Sequence, residues 1–272
     1  MTIEEIQQVS LDILKDVHNF CVENNIRYSL SGGTLLGAIR HNGFIPWDDD
    51  VDIQLPRPDY DRFIRTYQSK KGYKLFSRET SGESVRLRIA RVCEMEKTYV
   101  DTGLIPWCSE KTGIWIDILQ VDGAPNSKEQ AKKHIKRLSF WFHLYGWWRI
   151  KIVPLYSIIK QQASCREKIK FCLKKIIACF IPNNVLDKTL EFMKTYNYEE
   201  SSFFCASPHY GLGEWQPKKN MEHFILHKFE DTEFYVMSGY DNNLRSLYGD
   251  YMQLPPENKR ITHNYNRYYW KD

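Results

Sequence analysis

The sequence predicts an α+β fold: a small mixed β-sheet flanked by helices and interrupted by a helical insertion. Three observations predict it. The first part of the chain mixes helix-like and strand-like stretches, residues 126–200 change to long helical patterns, and residues 201–272 return to short strands. We therefore expect a core over 1–125, a helical insertion or subdomain over 126–200, and a C-terminal part over 201–272 that completes the core domain.

Residues 3–23 read as an amphipathic helix, with Ile6, Val9, Ile13, Val17 and Phe20 at steps of three and four and Thr2 with Glu5 as a capping box. Arg27 to Ser31 alternates as a half-buried strand, Gly32-Gly33 ends it, and Thr34 to Arg40 reads as a short apolar helix. His41-Asn42-Gly43 is a turn, and Val51 to Leu55 is a β-prone segment stopped by Pro56. Residues 58–69 look helical. The stretches 85–93 and 114–121 look like further strands, and Asp122 to Pro125 closes the block.

In the helical block Pro154 and Pro182 act as punctuation. The segment 138–148 is aromatic and apolar but too short to span a bilayer. Within 165–181, Ile169, Cys172, Leu173, Ile176, Ile177 and Phe180 make an apolar stripe among Arg166, Lys168, Lys170, Lys174 and Lys175. Residues 138–181 thus suggest peripheral contact with an anionic membrane surface, the plainer alternative being a helix packed on its own domain with solvated lysines. The last block has strand-like pieces at 223–229 and 233–237 around the turn Glu230-Asp231-Thr232, a helix-like stretch at 240–249, and a polar, tyrosine-rich tail.

Composition narrows the function classes. Hydrophobic content of 42% and charged content of 26% are those of a globular chain and exclude a disordered or fibrous one. A net charge of +4 is mild and argues against a dedicated nucleic-acid binder. The start MTIEEIQQVS lacks a basic n-region and an apolar h-region, so the expected location is the cytoplasm, peripheral at the inner face of the membrane if 138–181 docks there. The seven cysteines include no Cys-x-x-Cys pair, so they read as packing residues, Cys165, Cys172 and Cys179 along one helical stripe.

The chemistry concentrates in Asp48-Asp49-Asp50-Val51-Asp52. In an extended segment Asp48, Asp50 and Asp52 share one face, and such acids stay ionised together around a bound cation; oxygen ligands favour Mg²⁺ or Mn²⁺. Asp117 interrupts an otherwise buried strand and needs a partner, so it is expected beside Asp50 and Asp52, completing the metal site and orienting or deprotonating a nucleophile. An exposed turn is the plain alternative. A calcium loop fails because Ile53 stands where glycine is needed and Asp59 where glutamate belongs. Gly32 and Gly33 at a helix start suit a phosphate cradle, although double glycines are more often structural; a P-loop is rejected because Ala38 and Ile39 replace Lys and Ser/Thr. Arg40 is a candidate phosphate fork, its alternative being a cation at a helix C-terminus.

The stretch SGGTLLGAIRHNGFIPWDDDVDI at 31–53 resembles the signature of the LicD family of phosphotransferases, which includes fukutin-related protein and belongs to the nucleotidyltransferase-fold superfamily. Leu30 to Gly33, Asp50-Val51-Asp52 and Asp117 are similar to its three parts, and the likeness continues through Pro56 to Tyr60, Gly113 to Gly123 and Tyr248 to Tyr251. It implies a nucleotidyltransferase-like catalytic core and transfer of a phospho-alcohol, phosphocholine or a relative such as ribitol phosphate, from a CDP-activated donor to a hydroxyl of a cell-surface glycan, lipid-linked in one version, with release of CMP. It implies that Asp50, Asp52 and Asp117 hold Mg²⁺ or Mn²⁺, that Gly32, Gly33 and Thr34 hold the nucleotide phosphates, that Asp48 supports the metal, and that Asp49 is a bystander. One or two of Arg86, Arg88 and Arg91 reach donor or acceptor, unless they form surface ion pairs. Glu222, His223 and His263 receive no role. The helical block matches nothing in the family and is expected to govern acceptor choice or membrane contact. A nucleotidyltransferase releasing pyrophosphate, or a non-catalytic glycan- or nucleotide-binding protein, are the competing readings.

Overall fold

The structure is a computed structural model of the full chain; it describes residues 1–103, 105–153, 164–262 and 266–271. Pro154 and His263 lie outside the described residues.

Seven strands form the main sheet. Its path is β1 (Ser29–Leu30), β2 (Asp52–Pro56), β6 (Trp115–Ala124), β4 (Ala90–Cys93) and β3 (Lys74–Phe76), while β7 (Phe203–Cys205) pairs with the far end of β6 and carries β8 (Gln216–Pro217). Among the described residues only β2 and β6 run parallel; the other pairs are antiparallel, so the sheet is mixed and the fold is α+β. The parallel pair is the centre of the molecule. It sets Asp52 opposite Asp117 in register, and an Asp117 N–H to Val51 O bond of 2.8 Å extends the ladder one step past the strand.

Helix α1 (Ile3–Glu23) has the expected capping box and buries Ile6, Ile13, Leu14 and Val17. It meets α3 (Arg57–Thr66) and its C-cap through edge-on contacts of Phe20 with Phe63 and with the capping Tyr67. Both helices enter one core cluster with the sheet residues Leu30, Ile53, Leu55, Ile116 and Ile118. A buried ion pair locks α3 to β6: Arg57 donates to both Asp122 oxygens at 2.6 and 2.7 Å. The hairpin of β9 (Phe224–Phe229) and β10 (Thr232–Met237) closes this core against α1 and β1, its Phe229 and Phe234 fully buried. Last come α8 (Tyr240–Tyr248) and a small sheet of β5 (Thr98–Asp101) with β11 (Arg267–Trp270).

Beyond β6, α5 (Lys128–Lys151), α6 (Cys165–Cys179) and α7 (Val185–Met193) follow, after the short α4 (Arg78–Ser81) earlier in the chain. A second core cluster gathers Leu138, Tyr145 and Trp148 of α5 with Leu186, Leu190 and Met193 of α7, and Ala124 and Cys205 of the sheet.

Several sequence expectations are corrected. Helix α2 (Gly32–His41) begins at the glycines themselves instead of after them, because Gly32 takes φ +54°, open to glycine at little cost, and Leu35 N–H already bonds to Ser31 O. The strand placed at 85–93 is confined to 90–93; Arg86 and Arg88 lie outside it, Val85 making only an isolated bridge with Cys108. Asp122-Gly123-Ala124 continues β6 instead of closing a block, since β7 supplies its hydrogen-bonding partners. Strands β3, β5, β7, β8 and β11 went unread because each is two to four residues long, too short to show a period.

Candidate active site

Two glycines and three acids meet at the start of α2. A Cβ on Gly33 would lie 2.6 Å from Asp48 Oδ2, and one on Gly32 would lie 3.2 Å from Asp52 Oδ2. The carboxylates therefore pack directly against the glycine backbone, a closeness any side chain would prevent. Asp48, Asp50, Asp52, Gly32 and Gly33 line one cleft of about 720 Å³, whose other wall carries His209, Glu214 and Tyr248.

The acids do not share one strand face as expected, because β2 starts only at Asp52. Residues 48–51 form an irregular loop held from both sides. Gln7 of α1 donates to the Asp48 carbonyl at 2.8 Å, and the Tyr268 hydroxyl of β11 donates to Asp49 Oδ2 at 3.3 Å. Asp49 accordingly turns to a smaller adjoining pocket of about 210 Å³ that it shares with Asp50, Asp117 and Arg91. Asp50 lines both cavities and joins them.

Asp117 does have a partner, and it is Arg91, directly opposite on β4: Nε lies 2.6 Å from Asp117 Oδ1, with the guanidinium stacked over Trp115 and Trp107. Burial holds the Asp52 carboxyl well above the usual carboxylate range, and Asp50, Asp117 and Asp48 push it further, Arg91 opposing them. Asp48 is raised to about 6, again by burial, with hydrogen bonding to the Asp50 side chain as the main offset. Crowded oxygen-only acids that raise one another fit a hard divalent cation chemically, since such a cation removes the repulsion. Among the described residues no group of three or more His, Cys, Asp or Glu side chains is arranged to hold a metal ion as it stands. Arg91 occupies Asp117 in the present arrangement.

Three candidates do not line the cleft: Asp117 lines only the smaller pocket, and Thr34 and Arg40 line neither. The Thr34 side chain is buried, and its hydroxyl accepts the Asp52 N–H at 2.9 Å, which fixes the start of β2. Arg40 donates to the Tyr251 carbonyl at 2.9 Å and ties α2 to the segment after α8. Glu222 and His223 are absent from the residues lining either cavity.

Three cleft residues escaped the sequence reading. Glu214 is the last residue of a tight 3-10 turn, and burial raises its carboxyl to about 7, a backbone hydrogen bond from Tyr210 opposing the rise. His209 bonds through Nδ1 to the Ser207 hydroxyl, and burial lowers its pKa. Tyr248 approaches Gly32, its hydroxyl 4.0 Å from where a Cβ would stand. Tyr248 lies in the motif Tyr248 to Tyr251; Glu214, in a four-residue 3-10 turn, and His209, in a loop, carry no periodic signal.

Known proteins bear on this site. The nucleotidyltransferase-domain profile of the LicD/FKTN/FKRP family matches residues 25–143, which hold both glycines, the acid cluster and Asp117. Lipopolysaccharide cholinephosphotransferase LicD of Haemophilus influenzae is 30% identical over 285 aligned residues, covering 99% of this chain and 98% of that protein. An uncharacterised protein of Rickettsia typhi is 42% identical over 76 residues, 27% of this chain and 25% of its own. Ribitol 5-phosphate transferase FKRP of Homo sapiens is 64% identical over 28 residues, 10% of this chain and 6% of its own. Near-complete coverage in both directions at that identity makes the relationship one of whole chains: the protein belongs to the LicD family and is a LicD-type phosphotransferase.

Proposed function

We propose that this protein transfers a phospho-alcohol group, phosphocholine or a relative, from a CDP-activated donor to a hydroxyl of a cell-surface glycan and releases CMP. The observation that carries the reading is the convergence of Asp48, Asp50 and Asp52 with the Gly32-Gly33 helix start on one cleft. A nucleoside diphosphate needs close backbone N–H groups and charge compensation, and this cleft has the means for both. The names of the relatives support the substrate class, a choline phosphate on lipopolysaccharide in one and ribitol 5-phosphate in the other.

Asp50, Asp52 and Asp117 would hold Mg²⁺ or Mn²⁺, Asp48 supporting them. When bound, that ion neutralises pyrophosphate charge. The chain's own residues do the rest. Gly32 and Gly33 admit the donor phosphates to the backbone, and Glu214 takes the acceptor hydroxyl's proton. The acceptor oxygen then bonds to the phosphorus of the phospho-alcohol as the P–O bond to CMP breaks.

On α6, Ile169, Leu173, Ile176 and Ile177 are exposed, as is Phe180 at its C-cap, while Ala178 is buried, so the apolar stripe faces outward with Lys170 and Lys174 beside it. That arrangement supports peripheral contact with an anionic lipid surface, where a lipid-linked acceptor would reside. No described helix is long and apolar enough to cross a membrane.

The test is incubation with CDP-choline, CDP-ribitol or CDP-glycerol, Mg²⁺ and lipopolysaccharide-type acceptors, following CMP and pyrophosphate. CMP appearing with acceptor supports the reading. Pyrophosphate released from a plain nucleoside triphosphate would establish the nucleotidyltransferase alternative instead.

A further inference from the structure

A third cavity, of about 520 Å³, opens between α5 and the chain segments at 88 and 208–209. Its walls hold Arg88, Arg149, His143 and His209, and among the described residues no acid lines it. Arg88 is the unusual member. Its guanidinium carbon lies 3.6 Å from the Phe142 ring centroid and 5.2 Å from that of Tyr145, and its Nε is buried without a hydrogen-bond partner. Arg149 also buries an Nε without a hydrogen-bond partner among the described residues, while its Nη2 reaches the Ile105 carbonyl at a long 3.4 Å. Neither arginine has a carboxylate within ion-pair distance among the described residues. Burial pushes the Arg88 guanidinium down to about 10, Tyr145 opposing and Arg149 adding to the effect.

A buried cation without a counter-charge is costly in the folded state, and residues that merely pack do not need one. Arg88, with the half-buried Arg149 beside it in the same acid-free cavity, supplies what an anion-binding site requires. The aromatic wall adds a second property: Phe142 and Trp147 offer apolar faces on which a sugar ring can stack. Gly146 adds a third. It sits inside α5, where glycine costs roughly 1 kcal/mol against alanine, and a Cβ there would meet nothing within 4 Å, so it leaves the cavity mouth open. His209 lines both this cavity and the cleft of the acids, so the two adjoin.

We propose that this pocket is an acceptor subsite that binds a sugar residue bearing an anionic group, phosphate or carboxylate, with Arg88 and Arg149 on the anion and Phe142 and Trp147 against the ring. Its assignment to the acceptor rests on the transferase reading; its capacity for an anionic sugar does not. An acceptor chain anchored there would run past His209 toward Glu214, which fixes the distance between the anionic residue and the hydroxyl that is modified.

The test separates the two. Tryptophan fluorescence of the full chain is titrated with glucose 6-phosphate, glucuronate, glucose and inorganic phosphate. Saturable binding of one of the two anionic sugars, with at least tenfold weaker binding of glucose, is expected, and the tighter of the pair names the anion. Arg88→Met should weaken that binding at least tenfold. Gly146→Leu should do the same by filling the mouth without touching either arginine, which covers the case in which Arg88→Met fails to fold. In both variants binding of CDP should stay within twofold of the parent. Equal binding of glucose and the anionic sugars, or unchanged binding in Gly146→Leu, would overturn the subsite. In turnover, Arg88→Met should raise KM for the acceptor while leaving kcat and the donor KM alone. Absence of turnover with every CDP donor would refute the transferase reading and leave the binding result standing.

Discussion

Glu214→Gln is the substitution that most directly probes the cleft. In the folded chain the Glu214 carboxyl is raised from 4.5 to about 7, burial being the largest cause. A group whose folded pKa is raised holds its proton more tightly in the folded state. Stability is therefore greatest below about pH 4.5, falls as pH climbs toward 7, and is lowered by a constant amount above that. The full difference is about 3 kcal/mol, taking about 1.4 kcal/mol for each pKa unit. Glutamine cannot ionise, so the variant should melt roughly 5–10 °C above the parent at pH 8 and close to it at pH 4.5, as read by calorimetry. Activity should move the other way. If the carboxylate accepts the acceptor's proton, kcat/KM of the parent rises about tenfold between pH 6 and 8 with a midpoint near 7. The variant should lose roughly 10²- to 10³-fold and that midpoint with it. Asp48, raised to about 6 in the same cleft, would leave a transition about one unit lower, and the variant isolates it. A variant that keeps the midpoint near 7 and near-parental activity would refute the assignment, and an unchanged melting profile would refute the burial on which it rests.

Asp50→Asn and Asp52→Asn should each abolish turnover while the far-ultraviolet circular dichroism stays parental, because removing one of several repelling acids does not destabilise the fold. Gly33→Ala should lower kcat by roughly 10²-fold in the CMP-release assay, since its Cβ would stand 2.6 Å from Asp48 Oδ2 and must displace that carboxylate. Asp122→Ala should cost about 3–5 kcal/mol in urea unfolding by leaving the Arg57 guanidinium buried and alone, whereas Arg57→Met with Asp122→Leu should cost much less. Ile176→Asp should reduce flotation of the protein with phosphatidylglycerol vesicles several-fold, because the side chain is 60% exposed within the outward apolar stripe.

What the sequence disclosed follows the length scale of each signal. Helix α1 was legible because twenty-one residues repeat the 3.6 period and Thr2-Glu5 caps it, and the β9–β10 hairpin because its turn is polar and its strands are long. The acids were legible as a cluster, since like charges at that density need a reason. Their geometry was not. Extended backbone through 48–52 was inferred from the residue types, whereas the loop is shaped by Gln7 and Tyr268, 41 and 219 positions away from the atoms they hold. The positions of Thr34 and Arg40 were not legible for the same cause: each bonds a backbone group, Asp52 N–H and Tyr251 O, that no local pattern brings near.

Asp117 shows the limit most clearly. A lone acid in an apolar strand demanded a partner, and that inference needed only the cost of burying charge. Which partner it takes depends on strand order. Because β6 lies between β2 and β4, Asp117 has Asp52 on one side and Arg91 on the other, both in register. The same carboxylate can therefore answer to a cation shared with Asp52 or to the guanidinium of Arg91. The present arrangement gives it to Arg91. Binding of a cation would then have to loosen the Arg91 pair as well as draw the acids together, so Arg91→Met should strengthen Mg²⁺ binding, measured calorimetrically, by roughly tenfold if the pair competes with the ion. Unchanged or weaker Mg²⁺ binding in that variant would show instead that Arg91 positions Asp117 for the ion.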